Sequence, residues 1–423
     1  MTSQAKLREL LTRTNGKQKQ IAKCLSDLVQ FRSENPPVDN YDVQLYIRDE
    51  LKASGLNVSL HHPRDKAVAL TSSFGSGRKG LILYGHVDVV PAGDKSKWRS
   101  PPYSGKIVGR RIYGRGAADM KAGVTALLYA YKLLYESEIE LPGKLEFVTV
   151  LDEENWHPTP IGLGTSDWLL ATGRLTGRAC IMGEPSGISN ICIGERGDLW
   201  VKLTSKGKAA HGSTATHDEN AFVRLFKCID EINQATKKRI APPKDIRQIV
   251  NGSYKVIGES PRTELLEHYS MNVGVVSGGV MINIVPQMCE AEVAFCIPLG
   301  ATWQELDRKI QGILRKQYYK NITIDPTFPS GAQSNPTYTS PNSHLVKTLS
   351  HATRQILGKS AAVCVTQGTS DANVFRRHGV DTCFYGPGAL EDAHSYNESV
   401  NIGEILTSLK VYLRFVGDFF RIL

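Results

Sequence analysis

Two histidines and five acids carry side chains suited to catalysis or metal binding: His86, Asp88, Asp119, Glu153, Glu154, Glu184 and His394. His86 and Asp88 follow the apolar run Leu81 to Tyr84, which reads as a buried strand that delivers them to its carboxyl end. Asp119 stands where a helical pattern begins. Imidazole and carboxylate at a strand end, beside the positive end of a helix, are the ligands a hydrolytic metal site requires. A buried histidine with two capping acids would explain one such pair, but three more ligand-type residues in the same setting favour a metal. Asp152, Glu153 and Glu154 end the strand Lys144 to Leu151, where mutual repulsion calls for a cation or a shared proton. A solvated acidic turn is the plainer alternative. The strand CIMGEP finishes in Glu184, and His394 sits in a loop after Gly-Pro-Gly. Ligand-type residues thus reach one sheet edge from several strands, which is where open α/β sheets build their sites. His86, Asp119, Glu154, Glu184 and His394 would make two nitrogen/oxygen sites sharing one carboxylate, a composition suited to two neighbouring divalent ions. Glu153 cannot point the same way as Glu154 in an extended chain, so it is available as the base that takes a proton from water.

The elements that must position these groups alternate between apolar strands and amphipathic helices. Helices are expected over residues 5 to 31 (two, broken near Asn15-Gly16), 41 to 53, and 120 to 136; strands at LNVSL, AVALTSSFG and KLEFVTVL. The first helix is polar enough to serve as a packing arm against another subunit. This alternation predicts an α/β fold with a mostly parallel sheet and helices on both faces. From Asn190 the pattern changes. ICIGERGDLWVKLTSKGKAAHGS reads as a strand hairpin, followed by a helix from Glu219 to Ala235 and strands at 269–277 and 287–297, with an irregular excursion over 237–265. The parallel pattern then resumes with a helix from Thr302 to Gln317, the strand NITID, and further strands and helices to the end. The expected division is a discontinuous metal-binding catalytic domain, 1–189 and 301–423, interrupted by an α+β lid or dimerisation domain, 190–300.

Composition bounds the rest. The chain has 423 residues, is 41% hydrophobic and carries a formal charge of +9, which suits a soluble globular protein of two or three domains. Basic clusters occur without a nucleic-acid reader motif or an interleaved aromatic stripe, so they read as solvated helix faces, and an acidic small molecule fits the charge better than nucleic acid. The eight cysteines show no CxxC spacing, and neither a signal-peptide core nor a membrane-length apolar window is present. The expectation is a cytoplasmic protein that meets neither membrane nor nucleic acid.

The segments GHVDVVPAGD, GRGAADMKAG, DEEN, GEPS, AHGS, NIVP, GTSDA and AHS occur in that order from residue 85 to residue 395. Together they resemble the motifs of the aminoacylase, acetylornithine deacetylase and succinyl-diaminopimelate desuccinylase family of metallohydrolases. The resemblance implies that His86, Asp119 and Glu184 hold one divalent metal and that Asp119, Glu154 and His394 hold the other, as zinc, manganese or cobalt, one or two per subunit. It implies that Asp88 orients His86, that Glu153 is general base and then general acid, and that His211 steadies the oxyanion. Asn283, Gly368, Thr369 and Ser370 would line the substrate pocket, and the subunit would form a homodimer or larger assembly.

Two departures from that pattern stand out. The loop Asn155 to Gly164, NWHPTPIGLG, is longer than the compact Gly-Gly turn of the family and brings Trp156 and His157 beside the base. The insert strand that commonly carries Asp-x-Arg reads Ala294-Phe295-Cys296, so a bidentate carboxylate clamp is missing and Arg196 is the candidate replacement. The function expected is hydrolysis of a C–N bond in a small carboxylate-bearing compound by metal-activated water, as an amidohydrolase or deacylase of N-acyl amino acids or dipeptides. The alternative is hydrolytic deamination of an electron-poor aryl amine, similar to the 5-nitroanthranilic acid aminohydrolase of this family. A metal-free scaffold is the reading from outside enzymology, and retention of every ligand and of Glu153 speaks against it.

Overall fold

Apolar runs with no polar face belong in the middle of a sheet, and the strands Gly80–His86 and Ala179–Met182 are buried from end to end. The computed structural model describes residues 2–37, 41–64, 67–77, 79–154, 164–216, 219–256, 263–325 and 333–422. The loop 155–163, with Trp156 and His157, lies outside the described residues. The chain divides into a larger unit, 1–193, 338–364 and 370–423, and a smaller one, 194–337 and 365–369.

The main sheet runs in the order Val58–Arg64, Ala67–Phe74, Lys144–Val150, Gly80–His86, Ala179–Met182, Asp381–Phe384, Asn190–Glu195, Thr337–Tyr338, with Ala362–Val365 also paired to Asn190–Glu195. The four strands from Lys144–Val150 to Asp381–Phe384 are mutually parallel, whereas Ala67–Phe74 pairs antiparallel with both Val58–Arg64 and Lys144–Val150, and Asn190–Glu195 pairs antiparallel with Asp381–Phe384. The register aligns three carboxyl ends, with His86 beside Val150 and Tyr84 beside Met182. The acids that follow each strand therefore emerge along one edge. The helix Lys121–Glu136, rich in Ala and Leu, is buried along most of its length and packs on the helix Ile402–Phe419, which in turn packs on His344–Leu357. A small antiparallel sheet joins Ser399–Asn401 to Arg111–Tyr113 and Lys106–Val108.

The N-terminal helix Ser3–Arg13 is not an arm held out for a partner: Leu7 and Leu10 are buried, and it packs on the helix Ile402–Phe419 of its own unit. Two apolar residues three apart suffice to seat a helix that is otherwise polar.

The smaller unit is a five-stranded antiparallel sheet in the order Ser270–Gly278, Met288–Ile297, Gly197–Lys206, Ile322–Asp325, with Gln333–Ser334 also on Gly197–Lys206. Alternate residues of Gly197–Lys206 and Met288–Ile297 turn inward and bury Leu199, Val201, Leu203, Ala291, Val293 and Phe295 against helices Ala221–Thr236 and Trp303–Leu314.

Three expectations are corrected here. ICIGE and GDLWVKLTSK are not a hairpin, because Asn190–Glu195 belongs to the main sheet and Gly197–Lys206 to the smaller unit's sheet. At Gly197 a Cβ would lie 2.2 Å from the Ser334 carbonyl oxygen, and this close backbone approach fixes where the second strand begins. The helix Trp303–Leu314 and the strand NITID belong to the smaller unit rather than to the catalytic domain resumed at 301. Leu306, Ile310, Ile313 and Ile322 are buried in the smaller unit's core, and Ile324 pairs with Leu203. The stretch 237–265 contains a helix, Arg247–Val256, whose buried side follows Ile246, Val250 and Ser253. A single short apolar stripe interrupted by Gly252 gives little periodicity to read in the sequence.

Candidate metal centre

His86 ends its strand with Nδ1 facing two acceptors, the Asp88 carbonyl at 3.0 Å and the Asp88 carboxylate at 3.4 Å. In the neutral ring Nδ1 therefore carries the proton, and the Nε2 lone pair points at Asp119 Oδ1, 3.3 Å away. The other Asp119 oxygen, Oδ2, lies 3.4 Å from Nε2 of His394. His394 Nε2 is also 3.0 Å from Glu154 Oε2, and His86 Nε2 is 3.8 Å from Glu184 Oε1 and 3.9 Å from Glu153 Oε2. Six of the expected metal and base residues are thus brought together within the larger unit, with Asp119 between the two histidines. His86, Asp119 and Glu154 offer ligand atoms all within 4.8 Å of one another. Donors held about 2.0–2.1 Å from a tetrahedral zinc ion stand about 3.3 Å apart, so the donor types and their spacing fit a divalent metal.

Local chain paths explain the convergence. A Cβ at Gly123 would fall 1.8 Å from the Gly183 carbonyl oxygen, so only glycine lets the first turn of Lys121–Glu136 press against the backbone just before Glu184. This brings Asp119 and Glu184 to the same place. The Asp119–Met120 peptide is cis. Asp88 does more than orient His86: its Oδ2 accepts from Asn35 Nδ2 at 2.8 Å and from the Glu154 amide at 3.0 Å, tying the acidic turn to the His86 strand. Asp152, first of the three consecutive acids, turns away and accepts from the Thr165 amide and hydroxyl.

The electrostatics of the cluster follow from crowding acids around a buried histidine, His86, and an exposed one, His394. Burial works against the His86 imidazolium, but hydrogen bonds to Asp119 and Asp88 and the nearby Glu184 and Glu153 outweigh it and hold its pKa well above the ordinary value. His394, which meets the carboxylates of Asp119 and Glu154, is raised to about 10. Burial, reinforced by Glu184, Glu154 and Asp371, pushes Glu153 well above the usual carboxylate range despite His86. Asp119 is held below that range, because hydrogen bonds to His394 and His86 overcome its burial.

The remaining expected residues belong to other surroundings. His211 and Asn283 are neighbours in the smaller unit, where the Gly212 amide donates to the Asn283 carbonyl at 2.7 Å. The Ser213 amide donates to His211 Nδ1 at 3.2 Å, so in the neutral ring the proton sits on Nε2. Gly368 and Thr369 belong to the smaller unit, with the Thr369 hydroxyl on Asp198, whereas Ser370 belongs to the larger and caps the following turn through Ala372. Arg196 does not replace the missing carboxylate clamp: it is 2% exposed, and its Nη2 donates to the carbonyls of His268 and Cys296 at 2.9 and 2.8 Å. A guanidinium turned into the protein this way braces the fold.

Sequence reasoning passed over several residues around the cluster. Asp371 is buried with its carboxylate on the hydroxyls of Tyr84 and Ser166. Glu398 and Arg115 form a buried ion pair at 2.7 Å, and the buried Lys121 donates to the Phe31 carbonyl at 2.9 Å. Arg115 and Lys121 lie inside the GRGAADMKAG segment and Glu398 only four residues past His394, so proximity to candidate ligands was the available signal.

The chain resembles known proteins over nearly its whole length. The chain is 26% identical over 398 residues to a succinyl-diaminopimelate desuccinylase of Coxiella burnetii, covering 92% of this chain and 97% of that one. It is 24% identical over 431 residues to an N-formyl-4-amino-5-aminomethyl-2-methylpyrimidine deformylase of Halalkalibacterium halodurans, covering 97% of both. Its fold matches the metallo-carboxypeptidase Sso-CP2 of Sulfolobus solfataricus with a TM-score of 0.76 at 22% identity, over 94% of this chain and 98% of that one. The model of Peptidase family M20/M25/M40 matches residues 82–418, and a match over that span makes this chain a member of that family of metallohydrolases acting on carbon–nitrogen bonds.

Proposed function

We propose that the protein hydrolyses the amide bond of a small N-acyl compound at a centre for two divalent ions, zinc or manganese, with cobalt as a substitute. His86, Asp119 and Glu184 would hold one ion and Asp119, Glu154 and His394 the other. The observation that carries this reading is Asp119, whose two carboxylate oxygens each face a different histidine Nε2, at 3.3 and 3.4 Å. The ions would supply Lewis acidity and make water more acidic. Glu153, whose Oε2 lies 3.9 Å from His86 Nε2, is placed to take a proton from water and return it to the departing nitrogen. His211, with the neutral ring's proton on Nε2, is equipped to donate a hydrogen bond to a developing oxyanion, whereas His86 in its neutral form has the opposite tautomer and is equipped to be a ligand. Asn283 and the Gly368, Thr369 and Ser370 turn would contact the substrate.

Desuccinylase and deformylase names among the relatives support N-acyl substrates. One observation favours a substrate outside the N-acyl amino acids: the insert strand carries Ala294, Phe295 and Cys296 where the family commonly has its Arg, and Arg196 is engaged by backbone carbonyls. A carboxylate in the substrate would have no guanidinium from these positions to meet it. The deformylase relative, whose named substrate is an aminopyrimidine without a carboxylate, fits that pattern, and an electron-poor aryl amine such as 5-nitroanthranilate is the second reading. A homodimer through the smaller unit is supported by its edge strand Ser270–Gly278, which exposes Val275 and Val276, and by exposed Phe222 and Phe226 on the helix Ala221–Thr236. Eight free thiols support a cytoplasmic location, and among the described residues no helix is long and apolar enough to cross a membrane.

The test is release of amine, formate, succinate or ammonia by the metal-loaded protein from N-succinyl and N-formyl compounds, dipeptides and 5-nitroanthranilate. Turnover of one class with Glu153→Gln inactive but metal-loaded is the expected result. No turnover of any class by protein that retains two ions would refute the hydrolase reading as stated.

A further inference from the structure

Asp119 and His394 are 275 residues apart in the chain, and their 3.4 Å approach needs something to hold it. The holding element is the buried ion pair Glu398–Arg115. Glu398 is 1% exposed and both its oxygens are fully engaged: Oε1 accepts from the amides of Ala118 and Asp119 at 2.8 and 3.0 Å, and Oε2 from the Gly116 amide at 3.0 Å and from Arg115 Nη1 at 2.7 Å. Three of these four donors are backbone amides of the turn that ends at Asp119. Arg115, 3% exposed, spends its other hydrogen bonds on the opposite loop: Nη1 donates to the Ser395 carbonyl and Nη2 to the His394 carbonyl, both at 3.2 Å. The small sheet sets the pair in place, because Ser399 pairs with Tyr113 and the Gly114 amide donates to the Glu398 carbonyl at 2.9 Å.

The His394 loop has an uncommon backbone path. His394 has φ 59° and Asn397 φ 62°, in the left-handed region that few residues other than glycine adopt, asparagine and histidine most readily among them. Two donors from one guanidinium onto consecutive carbonyls hold the loop on that path. Planar geometry matters, since an ammonium at the same place cannot reach Glu398 and both carbonyls together.

We infer that Glu398 and Arg115 are positioning residues for the metal centre, with Glu398 fixing the backbone of Asp119 and Arg115 fixing that of His394. The inference rests on the two-ion reading above and adds an asymmetry to it. The two carbonyls that Arg115 holds serve only the position formed by Asp119, Glu154 and His394, and Arg115→Lys loses those bonds while a cation stays beside Glu398. Glu398 governs both positions, because Asp119 serves both.

The experiment is titration of the metal-free full chain with Co²⁺ alone, read by calorimetry and by the visible absorption of bound cobalt. Arg115→Lys is expected to weaken one of two ions by about ten- to a hundred-fold, the size of effect seen when supporting partners of metal ligands are removed, and to leave the other within about two-fold. Glu398→Gln, which puts an amide donor against donors, is expected to weaken both. A general loosening of the fold would lower both affinities in Arg115→Lys, and that result overturns the inference. Parent-like binding of both ions by Arg115→Lys, or by Glu398→Gln where the lysine variant does not fold, overturns it equally. A parent chain that binds no Co²⁺ overturns the two-ion reading itself, which separates the two failures.

Discussion

The contact between Gly123 and Gly183 offers a direct test of how the centre is assembled. A methyl group placed on Gly123 would sit 1.8 Å from the Gly183 carbonyl oxygen and 2.6 Å from its carbon, against an ordinary contact of 3.4–4 Å. The first turn of Lys121–Glu136 and the end of Ala179–Met182 would have to separate by roughly 1.5 Å, and neither obstacle is a flexible side chain that could yield. Overpacking of this kind costs about 1–3 kcal/mol, and a backbone-to-backbone clash belongs at the upper end. The functional effect should exceed the stability effect, because Asp119 and Glu184 flank the contact and metal–ligand distances tolerate only about 0.2 Å. Gly183→Ala meets its nearest atoms at 2.9 Å and should be milder. Gly312→Ala, on an exposed helical position with nothing within 4 Å, should stabilise by about 0.5–1 kcal/mol and serves as the control. The assay is urea unfolding together with Zn²⁺ affinity for the three variants. The expected order of damage is Gly123→Ala, then Gly183→Ala, with Gly312→Ala above the parent. Parent-like metal affinity in a stably folded Gly123→Ala protein would show that this contact does not set the ligand spacing.

Four further outcomes can be checked. Glu153→Gln should keep its metal, by elemental analysis, and lose about a hundred-fold or more in turnover, in line with the loss of a general base. Asp119→Ala should lose metal along with activity, since it removes the carboxylate facing both histidines, and retention of two ions would disprove the proposed shared-carboxylate arrangement. Leu306→Ala should destabilise by about 2–4 kcal/mol as a buried core truncation, with unfolding followed by a probe in the smaller unit; an effect below 0.5 kcal/mol, roughly that of a surface change, would remove the helix Trp303–Leu314 from that core. Glu34 is held below the usual carboxylate value: burial opposes this, but hydrogen bonds from Tyr103, Arg32 and the Ala92 amide prevail. Its contribution to stability is therefore present above its unfolded pKa of about 4.5 and is lost as pH falls through the lower folded value. The advantage of the parent over Glu34→Gln in urea should thus shrink as pH falls below about 4.5, and an advantage independent of pH would contradict the assignment.

The candidate ligands were legible in the sequence because strand ends are. An apolar run that stops at His86, another that stops before Glu153 and Glu154, and a third that stops before Glu184 announce buried parallel strands, and in such a sheet the residues after each strand must emerge on one edge. The hydrophobic pattern fixes those positions locally, so no knowledge of distant partners is needed. Asp119 and His394 were legible through the motifs around them rather than through periodicity.

Partnership between distant segments was not legible, because local pattern carries no address. NITID has the same composition whether it joins a parallel sheet or pairs with Gly197–Lys206, and only the core made by Leu203, Ile310 and Ile322 decides the matter. ICIGE and GDLWVKLTSK look like a hairpin because they are adjacent, yet they are claimed by different sheets. Arg196 reads as a spare cation until two carbonyls far along the chain are seen to hold it. Glu398 reads as one more surface acid, and tertiary structure alone gives it three amides of a turn some 280 residues away. Local pattern marks the side chains equipped for chemistry and the strands that present them; only packing shows what holds those side chains close together, because satisfying buried polar groups is a property of the whole packed chain.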